Sequence, residues 1–114
     1  MKIESRLQDD VLILSIQETR IDASGAVAFK ERMRGLLAGH DGRVVLDLGQ
    51  VEFLDSSGLG ALVAVMKMLG GRKLELARCG PVVSKVLALT RMNSVFVMHD
   101  GLAAVTGDPD QDAA

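Results

Sequence analysis

Apolar and polar positions recur along this chain with two different periods, and the places where the period changes mark its elements. Lys2–Leu7 and Val11–Ile16 read as short strands, with Gln8-Asp9-Asp10 between them as a polar turn of hairpin length, so an antiparallel pair is expected to open the chain. From Ala26 the period becomes helical. Ala26, Phe29, Met33, Leu36 and Leu37 fall on one stripe, while Lys30, Glu31, Arg32 and Arg34 lie largely outside it. Asp22-Ala23-Ser24-Gly25 supplies the start of this helix and Gly39 to Gly42 its stop. Val44–Leu48 is a short, mostly apolar, β-branched run with one acid, the composition of an inner strand covered on both faces, and Gly49-Gln50 breaks it. Leu59, Leu62, Val63, Met66 and Leu69 then predict a second helix stripe, ended by Gly70-Gly71.

The remaining third of the pattern repeats the theme. Lys73–Arg78 alternates apolar and charged residues, with Leu74 and Leu76 facing one way, which predicts a half-buried strand. Gly80-Pro81 opens a third helix through Val83, Val86, Leu87 and Thr90, closed by Arg91-Met92-Asn93. Val95–Met98 reads as a final strand and Leu102–Val105 as a short last helix. Strands alternating with helices in this order imply an α/β fold, a mixed sheet with helices packed against it, because parallel neighbours need crossovers. Periodicity alone does not choose the strand order. One domain is expected over residues 1–105, since 114 residues suffice for a single core. The stretch 106–114, with three acids, a proline and small residues, is expected to be a disordered tail.

Composition narrows the function. With 48% hydrophobic and 25% charged residues and a formal charge of −2, no strongly charged partner is expected. Three Phe, no Trp and no Tyr give no platform for stacking bases, so nucleic acid is not expected. A lone cysteine, Cys79, fits a reducing compartment, and without an apolar leader or a run of 18 apolar residues the chain reads as cytoplasmic, with no direct membrane insertion. His40 and His99 stand outside any triad context, so a serine hydrolase is not expected. Cys79, His40 and His99 do not gather into a ligand set either, and read as a buried strand thiol and two solvated loop imidazoles. Gly58-Leu59-Gly60 lacks the following glycine and the P-loop lysine. Neither catalysis, metal nor cofactor is expected, and the six methionines read mostly as core filler, with Met66 and Met68 on different faces of the second helix.

The candidate chemistry lies where the central strand feeds the second helix. Asp55, Ser56 and Ser57 are residue types that accept hydrogen bonds from the free N–H groups of a first helical turn, and such clusters are commonly only caps. Because the stripe draws the helix onto the sheet, these hydroxyls are expected at the rim of the fold, near the positive end of the helix dipole, where a phosphate is tolerated.

Val45-Leu46-Asp47-Leu48, Val51-Glu52-Phe53-Leu54 and Asp55-Ser56-Ser57-Gly58-Leu59-Gly60 together resemble the STAS domain family, in particular the small anti-sigma factor antagonists of bacterial partner-switching systems. The resemblance, strongest from Val44 to about Met68, implies a STAS fold with about five strands in its mixed sheet. It implies that Ser56 is the residue phosphorylated by a partner kinase, with Ser57 its neighbour and cap. It implies a partner surface of Asp22, Asp55, Ser56, Ser57, Gly58 and Leu59. Asp22 reads equally as a helix N-cap or as part of that surface. Many members carry a glycine a few residues before this acid, where this chain has Thr19-Arg20-Ile21, so a differently shaped loop is expected.

The function implied is a protein-binding module, not an enzyme. Unphosphorylated, it binds a serine kinase of the GHKL ATPase type that acts as anti-sigma factor, and so frees a sigma factor or another client. A PP2C-type phosphatase resets it, and the free protein is a monomer. The alternative is a cytosolic accessory subunit of a lipid or anion transporter, against which the intact Asp55-Ser56-Ser57 motif favours the switch.

Overall fold

The computed structural model describes residues 1–106. In chain order the elements are β1 (Ile3–Gln8), β2 (Val11–Ile16), β3 (Arg20–Ile21), α1 (Ala26–Leu37), β4 (Arg43–Asp47), β5 (Phe53–Leu54), α2 (Ser56–Met68), β6 (Leu74–Ala77), α3 (Pro81–Leu89), a 3-10 turn (Met92–Ser94), β7 (Val97–His99) and α4 (Ala103–Thr106). The opening hairpin is tight. Gln8 pairs with Val11, leaving Asp9-Asp10 as a two-residue turn with both φ values positive, 51° and 65°, the backbone that suits the twist of a hairpin.

Five strands form one mixed sheet in the order β1-β2-β4-β6-β7, as expected for the class. The β1–β2 pair is antiparallel and every other neighbour pair is parallel. Alternate residues of the inner strands point to opposite faces. Leu12, Leu14, Val44, Leu46, Leu74 and Leu76 pack into the main core with Phe29 and Met33 of α1, Leu62 and Val65 of α2, and Val83 and Leu87 of α3. Each such fully buried side chain contributes on the order of 2 kcal/mol. On the other face a smaller cluster joins Val11, Ile13, Val45 and Ala77 to Leu102 and Val105.

Two expected strands differ from the fold. The strand expected over Lys73–Arg78 to be half-buried is β6, Leu74–Ala77, buried throughout, because the C-terminal segment closes the face that alternation assigned to solvent. The final strand expected at Val95–Met98 starts only at Val97. The N–H groups of Val95 and Phe96 both bond the Met92 carbonyl, at 3.0 and 3.3 Å, so the turn holds them away from the ladder and Phe96 drops into the core. The last helix ends at Thr106, inside the tail expected over 106–114; the rest of that tail lies outside the described residues.

Two buried carboxylates brace the sheet. Asp47 receives both arms of Arg78, at 2.9 and 3.1 Å, the Ser15 hydroxyl at 3.1 Å and the Gly49 N–H at 3.0 Å. Glu75 receives both arms of Arg43, at 2.6 and 2.9 Å, while the Arg43 guanidinium also reaches the Val105 carbonyl at 3.3 Å and so ties α4 to the sheet. His99 bonds the same Glu75 at 2.7 Å, so it is a strand residue in an ion cluster, not the solvated loop imidazole expected. His40 does lie in a loop, against the Arg43 carbonyl at 3.0 Å. Cys79 sits half-buried just beyond β6 instead of within a strand, and burial, followed by the charge of Asp47, pushes its thiol up to about 11.

Burial pushes the Glu75 carboxyl up, but the hydrogen bonds from Arg43 and His99 outweigh it and hold the group below the ordinary range. A carboxyl lowered in the folded state stabilises fully above the unfolded value of 4.5 and loses that contribution as pH falls through its folded value. Urea unfolding between pH 7 and pH 3 is therefore expected to show wild-type stability falling along an acid limb that Glu75→Gln flattens. An equally steep limb in the variant refutes this.

Candidate functional site

The loop from β4 to α2 is built around Asp55. This residue is extended (φ −99°, ψ −174°) and caps α2, its Oδ1 accepting the Gly58 N–H at 2.8 Å and its carbonyl accepting the Leu59 N–H at 2.9 Å. The cap is therefore Asp55, where Ser57 was expected. Ser56 and Ser57 occupy the first two helical positions, both exposed, and among the described residues neither hydroxyl has a hydrogen-bond partner. The Ser56 hydroxyl stands at the positive end of the α2 dipole, next to the Asp55 carboxylate that takes the Gly58 N–H.

Gly58 sets how closely this rim meets the neighbouring loop. It is buried, and a Cβ built on it would lie 2.0 Å from the Ile21 carbonyl oxygen and 2.7 Å from Leu54 Cδ1. Ile21 and Leu54 are partners in the small parallel pair of β3 with β5. The same close approach turns α2 from the stripe expected. Gly58, Ala61, Leu62 and Val65 face inward with Leu69, while Leu59, Val63 and Met66 flank the core half-buried. Small residues at 58 and 61, carrying little apolar signal, are what let the helix seat that way.

Asp22 is brought to the same end of the molecule. It does not cap α1, whose N-cap is Gly25 with no side-chain bond. Its Oδ1 accepts the Ser24 N–H at 3.1 Å and the Ser24 hydroxyl at 2.7 Å, closing a turn ahead of the helix, and its Oδ2 accepts Arg20 Nε at 3.0 Å. The Ser24 hydroxyl and then Arg20 hold the Asp22 carboxyl below its ordinary range. The free oxygen of Asp55, Oδ2, accepts the Ala23 N–H at 3.2 Å, so one carboxylate staples the Asp22 turn to the start of the Ser56 helix.

Two residues here escaped sequence reading. Arg20 lies over the ring of the partly exposed Phe53, 4.3 Å from its centroid. Their strands, two residues each, are too short to show any period. The sequence traces were Thr19-Arg20-Ile21 standing where a glycine is usual and Phe53 within the Val51-Glu52-Phe53-Leu54 run, neither of which pointed to a contact between them.

Chemically, the site offers a hydroxyl without an activating base. Both histidines are engaged elsewhere, and Asp55 and Asp22 have their oxygens on N–H and O–H donors. Among the described residues no group of three His, Cys, Asp or Glu could hold a metal ion, and no helix is long and apolar enough to cross a membrane.

The STAS domain model matches residues 2–105. The chain belongs to the STAS family. This STAS domain is similar to the anti-sigma-F factor antagonist RsfB of Mycobacterium tuberculosis, 32% identical over 102 residues that span 85% of this chain and 83% of RsfB. It is 39% identical over 56 residues to a STAS-domain containing protein of Pseudomonas aeruginosa, which covers 47% of this chain and only 55% of that one. Among solved structures, an anti-sigma factor antagonist from Mycobacterium paratuberculosis matches with a TM-score of 0.78 at 26% identity, over 94% of each chain. The STAS fold expected from the motif is the one observed.

Proposed function

We propose that this STAS domain is an anti-sigma factor antagonist switched by phosphorylation of Ser56. Unmodified, it binds a serine kinase of the GHKL ATPase type that doubles as an anti-sigma factor, through a surface of Asp22, Asp55, Ser56, Ser57 and Leu59, and so frees the client. Gly58, buried, serves that surface by spacing and not by contact. The observation that carries this reading is the exposed, unengaged Ser56 hydroxyl at the first position of α2. The relatives named as anti-sigma factor antagonists support it.

In the switching step Ser56 Oγ attacks the γ-phosphorus of ATP held by the kinase, its proton passes to a base on the kinase, and ADP leaves. The domain acts as substrate and binding module, with no catalysis of its own. Its product carries about −1.5 to −2 added charges on a surface that must dock closely. A PP2C-type phosphatase hydrolyses the phosphoester and restores binding. Mass spectrometry after incubation with ATP and each GHKL-type serine kinase of the same cell tests the assignment. One phosphoryl group is expected on the wild type and none on Ser56→Ala; no transfer to the wild type, or equal transfer to the variant, refutes it.

A further inference from the structure

We propose that Arg20 receives the phosphate: once Ser56 is modified, the Arg20 guanidinium leaves Asp22 and bonds the phosphoryl oxygens. This rests on the reading of Ser56 as the modified residue and adds to it an arginine whose position no motif specifies. Three features of the unmodified structure support it.

First, Arg20 is held lightly. Arg43 and Arg78 each commit two arms to a buried carboxylate, whereas Arg20 donates only Nε to Asp22, and its side chain is 59% exposed. Among the described residues its two terminal nitrogens have no partner, and the Phe53 ring supports the flat face of the guanidinium while leaving its edge free to donate. Second, Asp22 does not depend on Arg20. Its other oxygen keeps both Ser24 bonds, so the turn survives the exchange.

Third, the ladder carries Arg20 toward Ser56. Arg20 pairs with Phe53 and Ile21 with Leu54, which brings Asp22 level with Asp55; the Ala23–Asp55 bond fixes that level. The guanidinium is thereby anchored on a turn that is itself bonded to Asp55, the residue that precedes Ser56. Over β3, β5, the 22–25 turn and the start of α2, the charged residues are Asp22, Asp55 and Arg20, with Glu18 lining the same cleft as Arg20 and Asp22, and Glu52 just ahead of β5, where its N–H bonds the Thr19 carbonyl. A phosphate arriving there meets several carboxylates, and among these side chains Arg20 is the one cation; a two-armed guanidinium–phosphate contact is the strongest pairing available to it. Modification then alters the docking surface twice, adding the phosphate and withdrawing Arg20 as a donor.

The test uses the full chain with phosphoserine encoded genetically at position 56, titrated by phosphorus NMR, so no kinase is involved. The second phosphate pKa is expected to lie about one unit lower in the otherwise wild-type chain than in Arg20→Gln. That gap is expected to persist at 0.5 M salt, where screening acts within roughly 4 Å. Arg20→Lys, which keeps the charge without the fork, is expected to fall between them. Identical titrations with and without Arg20, or a gap that vanishes in salt, overturn the proposal. Failure here leaves phosphorylation by the kinase standing, and failure of kinase transfer leaves this titration standing, so the two readings fail separately.

Discussion

Gly58→Ala is expected to cost about 3 kcal/mol of stability, the upper end for forcing an atom into a packed site. The new Cβ would lie 2.0 Å from the Ile21 carbonyl oxygen, which is backbone and cannot rotate aside. Relief requires α2 to move away from β3, which breaks the seating of Ala61 and Leu62 and pulls on the Asp55 staple. For a domain of this size the change corresponds to roughly 12–24 °C in melting temperature. Gly60→Ala is the internal control. Its Cβ meets nothing within 4 Å, and alanine in a helix interior is favoured, so this variant is expected to gain about 0.5 kcal/mol. Thermal melts of the two variants check the contrast, and a Gly58→Ala melt within 2–3 °C of wild type, about half a kcal/mol, contradicts it.

Phosphorylation of Ser56 is expected to weaken kinase binding about 100-fold. One added charge roughly 6 Å from a partner carboxylate, at an effective dielectric near 20, costs about 3 kcal/mol before screening. The phosphate brings between one and two such charges, so the loss survives halving by salt, and about 1.4 kcal/mol is a factor of ten in affinity. Ser56→Asp, with one charge and a shorter reach, is expected to lose about tenfold by the same arithmetic. Ser56→Ala, which removes a hydroxyl without adding charge, is expected to bind nearly as well as the unmodified protein. That ranking separates electrostatic release from loss of a hydrogen bond, which would make alanine as weak as aspartate.

The long elements could be read from the sequence because their periods outlast the noise. The β1–β2 hairpin and the three longer helices fall where expected to within a few residues. What the sequence hid depends on contacts between distant segments. β6 alternates as though one face were wet, and only the packing of Leu102 and Val105 buries it. His99 looked like a loop residue because nothing local announces that Glu75, 24 residues earlier, awaits it with Arg43. At the site, the helix start and the exposed rim at Asp55-Ser56 could be read, since cap chemistry is local. It misplaced the cap itself, because Asp55, Ser56 and Ser57 can all accept an N–H bond and only the backbone turn at Asp55 decides. The place of Arg20 was invisible for the opposite reason: it comes from a two-residue strand pairing with another, below the length at which alternation carries any signal.

The most direct measurement of whether one hydroxyl governs the proposed docking is the dissociation constant of the chain for the GHKL-type kinase that phosphorylates it under this proposal, with serine and with encoded phosphoserine at position 56. A constant about 100-fold weaker for the phosphorylated form is expected. Equal constants for the two forms would contradict the switch.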